Sequence, residues 1–433
     1  MKAGSYSLLG YAAQLGFAFV SFLFLVRWLS EYEFGVWVLY LTVTSFAEMG
    51  RAGLLQNAVI KFCVEEEKEY GDILTSGLII NTIGGLMLGG ILILIAPFLS
   101  RLWSAPELVN LMWWYLPWAL IHGTARFFDF PHMVHHDFKG IFWSKFANGA
   151  TFLSALLVLW LLQGNIRLEQ MPIIQVSAGI PSLLVFFFYK KSYLQWGKYS
   201  KKWTLKIVHF GKFVLGTNIS SMLFNKMDLM MVGSFINPAA VAIYNVATRV
   251  TNYLEVPMSG ISQIIYPKIA MANNDSTKAD IADLYEKAVG VIVALVLPLV
   301  FFVLFFSEWV VVLIAGKTYA SAAPLLQILV LAVMIKPWGR LFGITMDAIG
   351  KPQLNFALLA TSLMVNIFLN SIFISWWGLQ GAAIATLSSM VFLVVSGQLF
   401  ITRYVAVNQM NILKQIARVY LQPQQLLAFG RKN

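Results

Sequence analysis

Residues Pro352 to Thr402 read PQLNFALLATSLMVNIFLNSIFISWWGLQGAAIATLSSMVFLVVSGQLFIT, without one Asp, Glu, Lys or Arg. A bilayer core of about 30 Å is crossed by roughly 20 apolar residues in an α-helix, so this run is long enough for two spans. Trp376-Trp377-Gly378-Leu379-Gln380-Gly381 supplies an aromatic and glycine turn at its middle. The run is continuous rather than alternating, which excludes the strands of a membrane barrel.

The same pattern extends outward along the chain. Uncharged stretches of span length occur from Ala3 to Val26, Ile73 to Ser100, Leu108 to Ala125, Phe146 to Ile166, Gln170 to Tyr189, Ala288 to Ser307 and Thr318 to Ile335. Phe34 to Ile60, Phe213 to Ile236 and Ala239 to Tyr266 are apolar segments with internal charges. The expectation is an all-α polytopic membrane protein of about 12 transmembrane helices. Composition agrees: 59% of the 433 residues are hydrophobic and 12% are charged, against roughly 25% charged in soluble domains. The first apolar run is too long for a cleavable signal sequence. Cys63 is the sole cysteine, so no intrachain disulfide framework exists.

Basic residues orient the spans. Of 31 Lys and Arg, 22 fall in the tails and even-numbered connections, among them Lys61, Lys68, Arg126, Lys139, Lys145 and the lysines of 190–212, and 4 fall on the opposite side: Arg27, Arg101, Arg167 and Lys317. That bias places both termini in the cytoplasm. The net charge of +11 suits contact with anionic lipid. Its scatter among apolar helices speaks against nucleic-acid binding.

The lysine-rich connection near the middle separates six spans from six. The expected organisation is an N-terminal lobe over 1–189, a basic cytoplasmic linker over 190–206, a C-terminal lobe over 207–402 and a cytoplasmic amphipathic tail over 403–433. Leu29-Ser-Glu-Tyr-Glu-Phe-Gly35 and Phe235-Ile-Asn-Pro-Ala-Ala-Val241 open the second span of each half, a weak sign of duplication. Two parallel halves with a site between them near mid-membrane are a recurring transporter plan.

Several motifs in this order resemble one family. They are Arg27-Trp-Leu-Ser-Glu-Tyr-Glu-Phe-Gly-Val-Trp37, Asn225-Lys-Met-Asp-Leu-Met-Met-Val-Gly233, Val241-Ala-Ile-Tyr-Asn-Val-Ala-Thr-Arg249 and Ile265-Tyr-Pro-Lys268. Gly316 with Tyr319, Ala322-Ala-Pro-Leu-Leu326, Ala348-Ile-Gly-Lys351 and Gly378-Leu-Gln-Gly-Ala-Ala383 follow. Together they are similar to the bacterial polysaccharide and oligosaccharide (O-antigen type) flippases, within the superfamily of multidrug, oligosaccharidyl-lipid and polysaccharide exporters. The resemblance implies two six-helix lobes around a central cavity in the cell inner membrane. It also implies a lipid-linked oligosaccharide, such as a polyprenyl-pyrophosphate-linked glycan of lipopolysaccharide, moved from the inner to the outer leaflet. Partnership with polysaccharide polymerase machinery belongs to the same expectation.

Charges inside spans are costly, by about 2.5–3.5 kcal/mol each on an insertion scale, and so face a cavity or a partner. Here they are Glu48, Arg51, Lys226, Asp228, Arg249, Glu255, Lys336 and Arg340. The cations Arg51, Lys226, Arg249, Lys336 and Arg340 are the candidate substrate-binding set, because a pyrophosphate needs compensating positive charge. Glu48, Asp228 and Glu255 are candidates for proton or sodium coupling, or for structural pairs with the cations. Glu48 and Arg51 share a helix face, and Asp228 and Arg249 lie on consecutive spans. Gln56, Asn57, Asn218, Asn225, Asn245, Asn252 and Asn366 offer amides to sugar hydroxyls.

No Walker-type Gly-x-x-x-x-Gly-Lys-Ser/Thr sequence occurs, so ATP hydrolysis is not expected of this chain. Neither a metal nor an enzymatic role is expected. The connections on the side opposite the termini are short, unlike those of a polymerase or ligase, and His132, His135, His136 and Asp137 lack a second ligand set. The alternatives are an ion-coupled small-molecule exporter of the same superfamily and a non-transporting scaffold for glycan assembly.

Overall fold

The computed structural model describes residues 2–189, 191–275 and 278–422. Its regular secondary structure is all helical among these residues. The helices are α1 (Lys2–Trp28), α2 (Glu31–Glu65), α3 (Tyr70–Leu102), α4 (Glu107–Trp113), α5 (Tyr115–Val134), α6 (Phe138–Gln163) and α7 (Met171–Phe188). There follow α8 (Lys201–Phe235), α9 (Pro238–Leu254), α10 (Val256–Asp275), α11 (Lys278–Ala315), α12 (Ala323–Ala348), α13 (Pro352–Ile401) and α14 (Gln409–Leu421).

Among the described residues, seven stretches are long and apolar enough to cross a membrane by length and composition alone, Pro352–Ile401 among them. That stretch is interrupted where the tryptophan and glycine turn was expected: Gly378 adopts φ 56°, ψ −132°, a region closed to residues with a Cβ. α13 therefore counts as two spans. α2, α8, and α9 with α10 carry the three charged spans, and α4 with α5 carries the uncharged span over 108–125, which brings the total to about twelve. Large side chains left outside the packing, such as Leu94, Leu162, Phe188 and Phe305, are more than three-quarters exposed. An exposed apolar surface of that kind is the expected face toward lipid.

The described chain divides into two compact units, Met1–Met222 with Asn237–Ala242, and Leu223–Ile236 with Ile243–Asn433. In the first, α2, α3, α5 and α7 pack together and α6 lies between α1 and α7. In the second, α12 packs against α10, α11 and α13, and α14 lies along α11.

The opening of α2 explains the first family-like motif. Ser30 caps the helix: its hydroxyl accepts from the Glu33 amide at 3.2 Å, and the Glu33 carboxylate accepts from the Ser30 amide at 3.1 Å. This reciprocal capping box satisfies two amides the helix cannot pair internally. Two residues on, a Cβ at Gly35 would collide with the backbone carbonyl of Pro238. Pro238 itself starts α9, behind an Asn237 side chain that accepts from the Ala240 amide at 2.8 Å. The two similar stretches are thus two helix caps, packed on one another.

The basic connection is strapped down. Tyr70 donates to the Tyr193 carbonyl at 2.9 Å. Amides of Gly197, Lys198 and Ser200 donate to Thr75, Asp72 and Ser76 of α3 at 3.0, 2.7 and 3.0 Å. Lys202 pairs with Glu69 at 2.8 Å. Leu194, Trp203 and Ile207 then enter one apolar core with Val59, Ile73, Phe127 and Phe186.

Candidate functional site

Each unit holds a charged cavity. The first has a volume of about 710 Å³ and is walled by α2, α3, α5, α6 and α7. Its charged residues are Glu48, Arg51, Arg126, Asp129 and Lys145, three cations against two carboxylates. Thr44, Ser45, Gln56, Asn57, Asn81 and Gln175 add hydroxyls and amides, and Trp118 lies stacked on His122 at 4.6 Å between ring centroids.

Arg51 is 5% exposed and ion-pairs with Glu48, one helical turn earlier on α2. It also donates to Asn81 Oδ1 on α3, and Glu48 accepts from the Tyr115 hydroxyl at 2.9 Å. A charge at this depth is tolerable only when paired and hydrogen-bonded, which is what Glu48 and Asn81 accomplish.

Arg126, Asp129 and Lys145 correct the reading of the sequence. The charge pattern of the sequence assigns Arg126 and Lys145 to the connection between the fourth and fifth spans. The turn between α5 and α6 is confined to residues 135–137. Both cations therefore sit roughly two helical turns inside their helices, about 10–12 Å from that turn at 1.5 Å per residue. Arg126 Nη1 donates to Asp129 Oδ2 at 3.3 Å. The signal available was Arg-x-x-Asp, an i,i+3 charge pair ahead of Pro131.

The second cavity, of about 120 Å³, lies among α8, α9, α12 and α13. Lys226, Arg249 and Lys336 face Asp228 and Glu255, again three cations with two carboxylates. Lys226 is near enough to Arg249 for the charges to repel and makes no ion pair or hydrogen bond among the described residues. Lys336 is paired with Glu255 at 2.7 Å. Asn225, Asn245, Asn252 and Asn366 share this wall. Arg340 does not line it. One turn beyond Lys336, it donates to Ser262 and Ser259 of α10 at 3.0 and 3.3 Å. The side chain of Asn218 lies outside the described residues.

Asp228 is 8% exposed, and the donors that reach it are neutral. Asn366 and Asn370 bond Oδ1 at 3.0 and 2.8 Å, while Thr386 and Tyr244 bond Oδ2 at 2.8 and 3.4 Å. Asp228 and Tyr244 of the family-like motifs thus converge with two asparagines and a threonine of α13 on one carboxylate. Asn370 and Thr386 were not singled out in the sequence, because only the fold across the Gly378 break brings them to α8. The His132 group forms no metal cluster among the described residues. His132 is buried, with Nδ1 3.0 Å from the Phe128 carbonyl and its ring against Phe186.

Comparison with known proteins places this architecture. The fold is similar to that of a multidrug resistance MATE family transporter in an inward-facing conformation, with TM-score 0.73 over 90% of this chain and 95% of that one at 14% identity. It is also similar to the lipid II flippase MurJ in an inward closed conformation, with TM-score 0.72 over 99% and 93% at 14% identity. Among curated proteins, the chain is 23% identical over 202 residues to the "Probable low-salt glycan biosynthesis flippase Agl15" of Haloferax volcanii, covering 47% of this chain and 43% of that protein. The chain thus spans less than half of that relative's length. The polysaccharide biosynthesis protein family matches residues 24–324, well over half of the sequence, and the chain belongs to that family.

Proposed function

We propose that this protein is a flippase for a lipid-linked oligosaccharide, carrying a polyprenyl-pyrophosphate-linked glycan of the O-antigen type from the inner to the outer leaflet by alternating access. In this reading it resides in the cell inner membrane with both termini cytoplasmic, an orientation that the bias of lysine and arginine toward the tails and even-numbered connections supports. The observation that carries this reading is the excess of cations over carboxylates in both cavities, within a wall of amides and hydroxyls. Positive charge compensates a pyrophosphate, and amides pair with sugar hydroxyls. An exporter of cationic small molecules needs the opposite balance.

Coupling to a proton or sodium gradient is assigned to Asp228. Glu48 and Glu255 are each engaged by a cation, whereas Asp228 is reached by neutral donors. A carboxylate so placed can exchange a proton or small cation without breaking an ion pair.

The test is transport in proteoliposomes holding a fluorescent undecaprenyl-pyrophosphate oligosaccharide. Protein-dependent movement of the label that falls in Arg249→Ala and Lys226→Ala at matched reconstitution supports the reading. Transport of a cationic dye with no movement of the lipid would favour the small-molecule exporter.

A further inference from the structure

We propose that Arg126, Lys145 and Asp129 form an anion-recognition subsite in the first unit's cavity, taking a phosphate or carboxylate together with a neighbouring saccharide hydroxyl. It deepens the flippase reading and rests on it for the saccharide. The three side chains differ from the other charges of that cavity in what they leave open. Arg51 and Glu48 neutralise each other, with Asn81 and Tyr115 completing their hydrogen bonds. Arg126 bonds only Asp129 among the described residues, by one nitrogen at 3.3 Å, which leaves most of its five-donor fork. Lys145 makes no ion pair or hydrogen bond among the described residues, yet lies close enough to Arg126 and Asp129 to feel both charges. Asp129 is 4% exposed, and its Oδ1 has no donor among the described residues.

A ligand with an anionic group beside a hydroxyl completes this set. Its oxygens meet the free fork of Arg126 and the ammonium of Lys145, and its hydroxyl donates to Asp129 Oδ1. On the same wall, His122 Nδ1 and Gln175 Oε1 are buried with no hydrogen-bond partner among the described residues. A volume of about 710 Å³ falls within the roughly 300–1,000 Å³ typical of small-molecule sites. The second cavity, at about 120 Å³, falls below it. The anion has two possible sources of the same chemistry: the pyrophosphate of the lipid carrier, or the carboxylate of an acidic sugar.

The full chain, purified in detergent, is titrated calorimetrically with inorganic pyrophosphate and separately with glucuronate. Saturable binding of pyrophosphate assigns the subsite to the carrier head, and binding of glucuronate assigns it to an acidic sugar. Lys145→Gln and Arg126→Gln are expected to weaken the bound probe by about ten-fold or more, the scale of one charge-assisted hydrogen bond. Lys145→Arg restores most of the affinity, and an unchanged melting curve for Lys145→Gln shows the fold intact. Failure of both probes to bind the wild type, or undiminished binding by both neutral variants, overturns the subsite. Transport of a lipid-linked glycan under those outcomes leaves the flippase reading standing. Saturable, Lys145-dependent binding without transport of any such lipid leaves the subsite and removes the flippase.

Discussion

Lys336 Nζ lies 2.7 Å from Glu255 Oε1, and Glu255 is the residue at which α9 stops and α10 begins. Pro257, the second residue of α10, has no amide hydrogen to continue the ladder. One turn further along α12, Arg340 reaches Ser259 and Ser262, so two cations of one helix hold the joint between two others. With side chains 25% and 17% exposed, the pair is screened less than a surface ion pair and more than a fully buried one.

Removing one partner at this joint should cost more than removing both. Glu255→Gln or Lys336→Met alone is expected to destabilise by about 2 kcal/mol, between the surface and buried cases. The double variant should recover part of that loss. Unfolding in detergent by a double-mutant cycle measures the coupling, and strictly additive losses would show that the contact contributes nothing.

Asp228 makes the opposite prediction for charge and for shape. Asp228→Asn keeps the volume and an acceptor oxygen, so the protein should fold but lose its dependence on a proton or sodium gradient in the proteoliposome assay. Asp228→Ala removes the acceptor that Asn366, Asn370 and Thr386 share, but each keeps a second acceptor on α13, so the expected cost is about 1 kcal/mol, the scale of an ordinary hydrogen bond lost. Retained ion dependence in Asp228→Asn would move the coupling site elsewhere.

Gly35 should tolerate no side chain. Its missing Cβ is the space occupied by the Pro238 carbonyl, and backbone yields less readily than a side chain. Gly35→Ala is expected to cost about 1–3 kcal/mol, the usual range for overpacking, and to lower the yield of folded protein. Gly84, where a Cβ meets nothing within 4 Å, serves as the control, and equal melting temperatures for the two alanine variants would contradict the close approach.

The strap over residues 193–203 should govern protease sensitivity. In the wild type, Lys198 and Lys202 are tied to α3 and to Glu69 through the backbone and an ion pair. Replacing Asp72, Thr75 and Ser76 by Ala removes three side-chain partners of that backbone. Trypsin should then cut at Lys198, Lys201 and Lys202 faster than in the wild type. Unchanged cleavage would mean that Leu194 and Trp203 alone secure the segment.

What was legible follows a clear physical line. The spans, the break at Gly378 and the Glu48–Arg51 pair could all be read from the sequence. Each rests on residues within a few positions of one another, or on the length of apolar chain that a bilayer demands. The amphipathic α14 was legible in the same way. That it docks on α11 through Val419 and the hydrogen bond from Tyr420 to the Ala294 carbonyl at 2.6 Å was not.

Hydropathy by itself determined that the chain is a polytopic helical membrane protein, because apolar length and scarce charge leave no other solution in lipid. The tertiary structure decided which charges are engaged and which remain available. Arg126 and Lys145 read as residues of a connection until α5 and α6 were seen to run past them. Asp228 read as a partner for Arg249 until Asn366, Asn370 and Thr386 were brought to it from far along the chain. Pairing is a matter of distance in space, and residues separated by more than a hundred positions carry no local trace of it.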